Sequence, residues 1–165
     1  MERDDGGMKN APQLSGTMPM TATFDLVLAG ADVVNQDGAG SRDIGVRNGR
    51  IADIGDLSRA SAGERIDAKG LTILPGVIDT QVHFREPGAT HKEDQETGSR
   101  AAVMGGVTCV FEMPNTNPLT TTPQTLADKI ARGSKRMHCD FAFWVGGTHE
   151  NVNDIPELER LPGAA

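Results

Sequence analysis

The sequence has 165 residues, of which 37% are hydrophobic and 24% charged, typical of a globular chain long enough to bury a core. Its net charge of -7 argues against nucleic acids and anionic membrane surfaces as partners, because both attract Lys and Arg. The sequence shows neither a signal-like start nor an apolar run near the ~20 residues of a membrane span, so the cytoplasm is the expected location. A small anionic substrate stays compatible with these numbers, since one Arg can hold it.

Residues 1–23 are polar and lack any period, which predicts a disordered leader. Residues 24–74 predict a small, mainly antiparallel β unit built from short strands. These strands are placed at 24–28 (ending at Gly30), 33–34, 43–46, 50–54 and 71–74, with a short piece at Ile66. Asn48-Gly49 lies between alternating apolar residues, the strongest short signal for a β-hairpin.

From Pro75 onward the pattern predicts strands alternating with helices. Strands are expected at 77–84, 107–113 and 140–145. Helices are expected at 93–104, stopped by Gly105, and from an N-cap at Thr122 with Pro123 at the first helical position to about Met137. This repeat predicts a parallel α/β sheet. A closed (β/α)8 barrel needs about 250 residues, so residues 75–165 would hold only its first strands, with two open, apolar sheet edges.

A polar run closes the first of these parallel strands. Strict alternation would put Asp79, Gln81, His83 and Arg85 on one face, at the carboxyl end where α/β barrels place their active sites. A lone His is more often structural, but four polar groups in this position are an unusual way to build a core. The run therefore predicts a functional site.

Asn115 follows the second parallel strand, at the same end of the sheet, between Pro114 and Pro118. A rigid turn is one interpretation, because Asn is common in turns and the prolines restrict the backbone. A binding group is the other. The spacing alone leaves both open.

The remaining thiols and imidazoles are expected to be structural. Cys109 and Cys139 lie in apolar stretches without a CxxC partner, which predicts buried, reduced thiols. His91 is assigned to the loop or rim, and His138 precedes the third strand, at the wrong end of the sheet for a ligand. His149 is at the right end but is not expected to bind a metal.

Several motifs taken together resemble dihydroorotase, a cyclic amidohydrolase of the amidohydrolase superfamily. They are Pro75-Gly76-Val77-Ile78-Asp79, His83-Phe84-Arg85-Glu86-Pro87-Gly88, His91-Lys92-Glu93-Asp94, Thr97-Gly98-Ser99-Arg100-Ala101-Ala102, Gly105-Gly106-Val107-Thr108 and Met113-Pro114-Asn115-Thr116. Hydantoinases and allantoinases are similar through Asp79 and Gly105-Gly106, but they usually lack the paired Arg and Asn found at 85 and 115. The resemblance covers residues from 24 to the end.

The resemblance implies the N-terminal portion of a (β/α)8 barrel flanked by a β-sandwich, with residues 24–74 as half of that sandwich. It implies one or two Zn2+ ions and the reversible hydrolysis of dihydroorotate to N-carbamoyl-aspartate in pyrimidine biosynthesis. His83 would be a zinc ligand, and Arg85 and Asn115 would hold the substrate carboxylate. The general-base Asp and the other ligands would come from later strands, so this chain alone is expected to be inactive and to bind zinc weakly or not at all.

Gln81 departs from the family's His-x-His pattern. An amide oxygen is a poorer zinc ligand than an imidazole, which puts that ligand position and a binuclear centre in doubt. A non-catalytic, dihydroorotase-like scaffold subunit for aspartate transcarbamoylase is therefore an alternative to the enzyme, as is a hydantoinase- or allantoinase-type hydrolase. The expected partners are a small cyclic amide and either a second copy of the chain or the transcarbamoylase.

Overall fold

The computed structural model describes residues 23–165, so the predicted disordered leader lies outside the described residues except for Thr23, which begins the first strand. The chain divides into two compact units, one ending at Leu74 and the other spanning Pro75–Ala165. No helix in the described range is long and apolar enough to cross a membrane.

The first unit is a single five-stranded sheet. Its strands are β1 (Thr23–Asn35), β2 (Gly38–Arg47), β3 (Arg50–Gly55), β4 (Ser61–Asp67) and β5 (Thr72–Ile73). The order is β3-β2-β1-β4, and β5 also pairs with β1. The prediction of a mainly antiparallel unit is wrong for one side of β1. Residues 56–60 carry the chain across the sheet, so β4 and β5 run parallel to β1.

The predicted hairpin is confirmed between β2 and β3. Asn48 and Gly49 have φ values of 52° and 70°, the left-handed pair that a tight two-residue hairpin turn requires. Gly30 does not end the first strand. It adopts φ 75° within a bulge, where its N–H donates to Asp43 Oδ1 at 2.7 Å, and β1 continues beyond it.

The second unit has three strands in the order β6-β7-β8, all parallel, so the predicted βαβ arrangement is confirmed. The strands are β6 (Val77–Val82), β7 (Val107–Glu112) and β8 (Asp140–Phe143), and the helices are α1 (Gln95–Met104), α2 (Pro123–Gly133) and α3 (Ile155–Leu158). Each strand ends one or two residues earlier than predicted. The short α3 had no clear sequence signal.

The predicted cap of α2 is confirmed, since the Thr122 hydroxyl accepts from the Thr125 N–H and Pro123 opens the helix. The predicted end at Met137 is wrong. Ser134 leaves the helical conformation, its hydroxyl donates to the Ile130 carbonyl at 2.7 Å, and Lys135 adopts φ 64°. The helix therefore stops one turn early, at Gly133.

The edge of β8 is not open as predicted. The Phe143 N–H donates to Gly163 O at 2.9 Å, and the Ala165 N–H donates to Phe143 O at 3.0 Å. Ala164 therefore forms a parallel bridge with Phe143. On β6, by contrast, the apolar side chains of Val77 and Ile78 are exposed.

We predict that Gly98→Ala destabilises the chain, because α1 packs on Phe84 through this glycine. A methyl group at Gly98 would lie 2.4 Å from Phe84 Cδ1, well inside contact distance. The free energy of unfolding should fall by about 1–3 kcal/mol, the usual cost of overpacking a core. The matched control is Gly147→Ala, which meets nothing within 4 Å and should change little. Equal denaturation midpoints for the two variants would contradict this packing.

Glu86 ties the segment after β6 to the start of α1 and to the residues that follow α2. It is 5% exposed. Its Oε1 accepts from Arg136 Nη1 at 2.9 Å, and its Oε2 accepts from the Gln95 N–H, the first residue of α1, at 3.0 Å. Burial raises the pKa of Glu86, but the bonds from Arg136 and Gln95 outweigh it, and the net pKa lies below its usual value.

This lowered pKa predicts an acid-sensitive contribution to stability. The folded chain holds Glu86 ionised more readily than the unfolded chain, so the contribution is complete above the unfolded pKa of about 4.3 and is lost as pH falls through the folded pKa. In Glu86→Gln, the free energy of unfolding should fall less steeply below about pH 5. Denaturant titrations across that range measure this, with the exposed Glu159→Gln as control. Parallel pH curves for wild type and Glu86→Gln would disprove the contribution.

Candidate active site

The predicted site residues lie just beyond the carboxyl ends of the parallel strands. β6 ends at Val82 and is followed by His83 and Arg85, while β7 ends at Glu112 and leads to Asn115. Because parallel strands end at a common edge, the two segments are neighbours there. This edge is where ligands bind in open α/β sheets.

The predicted common strand face for Asp79, Gln81, His83 and Arg85 is wrong, because regular alternation stops within β6. The register with β7 shifts between Asp79 and Val82. The Gln81 N–H donates to Asp79 Oδ1 at 3.0 Å, and the Gln81 side chain is exposed. His83 and Arg85 lie outside the strand, so loop geometry rather than strand pleat directs them.

His83 and Asn115 are in direct contact. His83 Nδ1 lies 2.9 Å from Asn115 Oδ1. An amide oxygen only accepts, so the imidazole donates from Nδ1, and in a neutral imidazole Nε2 then carries the lone pair. Sequence spacing left the role of Asn115 open. The contact makes it an orienting group for the imidazole, at the site where the resemblance implies function.

The loops after β6 and β7 also lock together through their backbones. The Asn117 N–H donates to Pro87 O at 3.2 Å. Gly88, at φ 106°, sits so close to Asn117 that a methyl group there would lie 2.6 Å from the Asn117 carbonyl oxygen. The close fit requires glycine and fixes the spacing between the segments that carry His83 and Asn115.

Arg85 is exposed and adopts φ 65°, a left-handed conformation that is costly for a side chain of this size. Within residues 23–165 its guanidinium makes neither an ion pair nor a hydrogen bond. No hydrogen bond joins its side chain to Asn115. The loop therefore presents a positive, hydrogen-bonding fork to the outside at the carboxyl edge of the sheet.

Trp144, the first residue after β8, was not identified from the sequence. Its indole N–H donates to the Thr80 carbonyl at 2.9 Å, and its backbone N–H donates to Glu112 O at 2.9 Å. Its ring meets Phe111 edge to face, with centroids 6.2 Å apart. It is the only Trp in the chain and follows a strand directly, which is the signal that could have identified it.

A buried ion pair lies among the strand ends and was also missed. Lys129 Nζ is 3.1 Å from Glu112 Oε2, and both side chains are 1% exposed. Burial raises the pKa of Glu112, and the nearby Lys129 ammonium and Phe84 backbone amide act against that rise. Burial likewise lowers the pKa of Lys129.

A small apolar hollow of about 130 Å³ adjoins Asn115, between the loops that follow β7 and β8. It is lined by Pro114, Asn115, Leu119, Thr121, Gly146, Gly147 and Thr148. A larger groove of about 700 Å³ lies farther along the same loops, beside α3, and none of His83, Arg85 and Asn115 lines it.

The other imidazoles and the thiols lie apart from this contact. His138 Nε2 is 3.1 Å from Glu96 Oε1, on α1, while His91 and His149 are exposed. Cys109 and Cys139 are free thiols, but they are half-buried, so the prediction that they are buried is wrong. Burial raises the pKa of both thiols, which makes them poor nucleophiles.

The residues of this site make up only part of the ligand set that the implied zinc ion requires. Zinc sites in proteins use about four ligands from Cys, His and carboxylate side chains. Among residues 23–165 there is no cluster of three or more such groups. His83 offers Nε2 and Gln81 an amide oxygen, so these residues by themselves do not fit a zinc centre.

Comparison with known proteins places the chain in a family. Residues 70–155 match the family described as dihydro-orotase-like. An allantoinase of Rubrobacter xylanophilus is 41% identical over 138 residues, covering 83% of this chain and 30% of that protein. A dihydroorotase of Methanothermobacter thermautotrophicus is 41% identical over 123 residues, covering 74% and 28%.

The fold agrees with these relatives. The L-hydantoinase (dihydropyrimidinase) of Arthrobacter aurescens superposes with a TM-score of 0.78 at 34% identity, covering 82% of this chain and 31% of that one. The chain spans about 30% of the length of the curated relatives it matches. The family match includes both strand-end segments and the His83–Asn115 contact between them, and the chain belongs to the dihydro-orotase-like family of cyclic amidohydrolases.

Proposed function

We propose that the whole protein to which this chain corresponds hydrolyses a cyclic amide, with dihydroorotate as substrate and N-carbamoyl-aspartate as product. The observation that carries this proposal is the His83–Asn115 hydrogen bond at the carboxyl edge of the parallel sheet, with Arg85 exposed on the same loop as His83. The relatives support the coarser statement, since those named above are cyclic amide hydrolases.

Arg85 and Asn115 are the proposed substrate-binding residues. The Arg85 guanidinium matches a carboxylate with two parallel N–H donors, and its lack of a partner within residues 23–165 leaves both available. The Asn115 amide uses Oδ1 on His83, so its NH₂ group still has donors for substrate. The apolar hollow beside Asn115 gives the uncharged part of a small ring a place to pack.

We further propose that the whole protein binds zinc and that His83 is one ligand, through Nε2. The hydrogen bond from Nδ1 to Asn115 would fix the imidazole tautomer, as outer-sphere partners of metal-bound His do. A zinc held there would supply Lewis-acid chemistry by lowering the pKa of a bound water. The remaining ligands and a general-base Asp are proposed to come from parts of the fold outside this chain.

Two further candidates have specific support. Allantoinase or hydantoinase activity is favoured by the relatives, because several allantoinases match at 36–41% identity and the L-hydantoinase superposes closely. A scaffold subunit for aspartate transcarbamoylase is favoured by Gln81, which replaces an expected imidazole. Substrate turnover separates the first candidate from dihydroorotase, and its complete absence in a full-length protein favours the second.

The isolated chain should neither retain zinc nor hydrolyse dihydroorotate, because one imidazole and one amide do not complete a zinc site. Metal analysis after dialysis and a direct hydrolysis assay on the purified chain measure both. Stoichiometric zinc, or any turnover that follows the protein through purification, would contradict this expectation.

A hybrid enzyme tests the substrate assignment. This chain replaces the matched region of the Methanothermobacter dihydroorotase, and hydrolysis of dihydroorotate, allantoin and hydantoin is compared. With dihydroorotate, Arg85→Met should raise KM about 10- to 100-fold, the equivalent of one lost charged contact. The exposed Arg160→Met is the matched control.

Two outcomes would contradict this assignment. One is an unchanged KM in the Arg85→Met hybrid, which would reject Arg85 as a substrate-binding residue. The other is a hybrid that hydrolyses allantoin or hydantoin but not dihydroorotate, which would transfer the assignment to the first alternative.

A further inference from the structure

We infer that Glu112 and Lys129 are positioning residues, which hold the segments carrying His83, Arg85 and Asn115 from the buried side of the sheet. The inference rests on the proposed function for what those segments do.

The pair is fully enclosed. Both side chains are 1% exposed, and Lys129 Nζ lies 3.1 Å from Glu112 Oε2. A buried ion pair is weak evidence for stability, because apolar residues of similar volume are often as stabilising or more so. Core packing alone therefore does not explain why this ion pair lies beneath the candidate site.

Lys129 fixes the end of β7. From α2 its ammonium donates to the Met113 carbonyl at 3.2 Å, two residues before Asn115. The same nitrogen lies 5.1 Å from the centroid of the Phe143 ring, at the end of β8. One cation thus contacts the residues that end two strands.

Glu112 connects the pair to the end of β6. Its backbone pairs with Val82, the last residue of β6 and the neighbour of His83. Its own carbonyl accepts from the Trp144 N–H at 2.9 Å, and the next residue, Met113, donates to Val82 O at 3.0 Å. Glu112 is therefore bonded or apposed to every strand end around the site.

Neither side chain reaches solvent, so neither can contact a substrate at the exposed edge. Their effect has to pass through the residues that they hold. The nearest spectroscopic reporter is the imidazole of His83, whose Nδ1 bond to Asn115 depends on the spacing of the two segments.

The test is NMR of the ¹⁵N-labelled 165-residue chain at about pH 8.5, where a neutral imidazole reports its tautomer. Wild type should show a single Nδ1-protonated form of His83. Glu112→Gln and Lys129→Met should lose that single-tautomer signature. The double variant removes both charges, so it avoids an unpaired buried ion and decides the matter if a single variant fails to fold.

Leu126→Ala is the matched control, since Leu126 is 1% exposed, lies on the same helix and leaves a cavity in the core. It should lower stability while keeping the His83 signature. An unchanged signature in the double variant, or an equal loss in Leu126→Ala, would overturn the inference. Turnover is not needed for this readout, so a failed substrate assignment and a failed positioning role are told apart.

Discussion

Parallel pairing of β6, β7 and β8 is the constraint on which the candidate site depends. In a parallel sheet each strand delivers its next residues to the same edge, so chain segments far apart in sequence meet there. His83 and Asn115 are 32 positions apart and lie 2.9 Å from each other for this reason. The helices that connect these parallel strands also supply buried groups that contact the segments at this edge.

Two buried carboxylates perform that support in different ways. Glu86 is held by Arg136 and by the first amide of α1, so it anchors the loop after β6 to the helices. Glu112 faces Lys129 beneath the sheet edge. The first has partners that favour its charge and a lowered pKa, whereas burial dominates the second and raises its pKa. The segments that carry the exposed site residues are therefore held by buried polar groups as well as by the apolar core.

Part of the fold was predictable from local sequence, because some residues set the backbone conformation by themselves. Asn48-Gly49 and Thr122-Pro123 carry their own backbone preferences, so the hairpin and the start of α2 follow from the sequence. The parallel sheet followed from the spacing of apolar runs. The bulge in β6 did not, because it depends on the register with β7 and on the Asp79 carboxylate, which captures the Gln81 amide. Strand pleat therefore gave a false common face for four residues.

The burial of charged side chains was the other feature that the sequence did not predict. Lys129 lies on a helix whose pattern is amphipathic, and nothing in the spacing separates a lysine that reaches solvent from one that turns under a sheet edge. Asn115 was ambiguous for a similar reason, since its partner, His83, follows another strand. In both cases the deciding contact spans elements that only the tertiary fold brings together, at 3.1 Å and 2.9 Å respectively.

The candidate substrates are distinguished by the charge of the group that the ring carries and not by the ring itself. Dihydroorotate, allantoin and hydantoins share a cyclic amide, so a hydrolytic centre of one kind suits all of them, and the names of the relatives divide accordingly. They differ in what the ring carries, and only dihydroorotate among them bears a carboxylate. An arginine kept exposed in a left-handed conformation, without an ion pair in residues 23–165, is of most use to an anionic group. Arg85 therefore supports the proposal of dihydroorotate as substrate, while Gln81 bears on the metal and not on this choice.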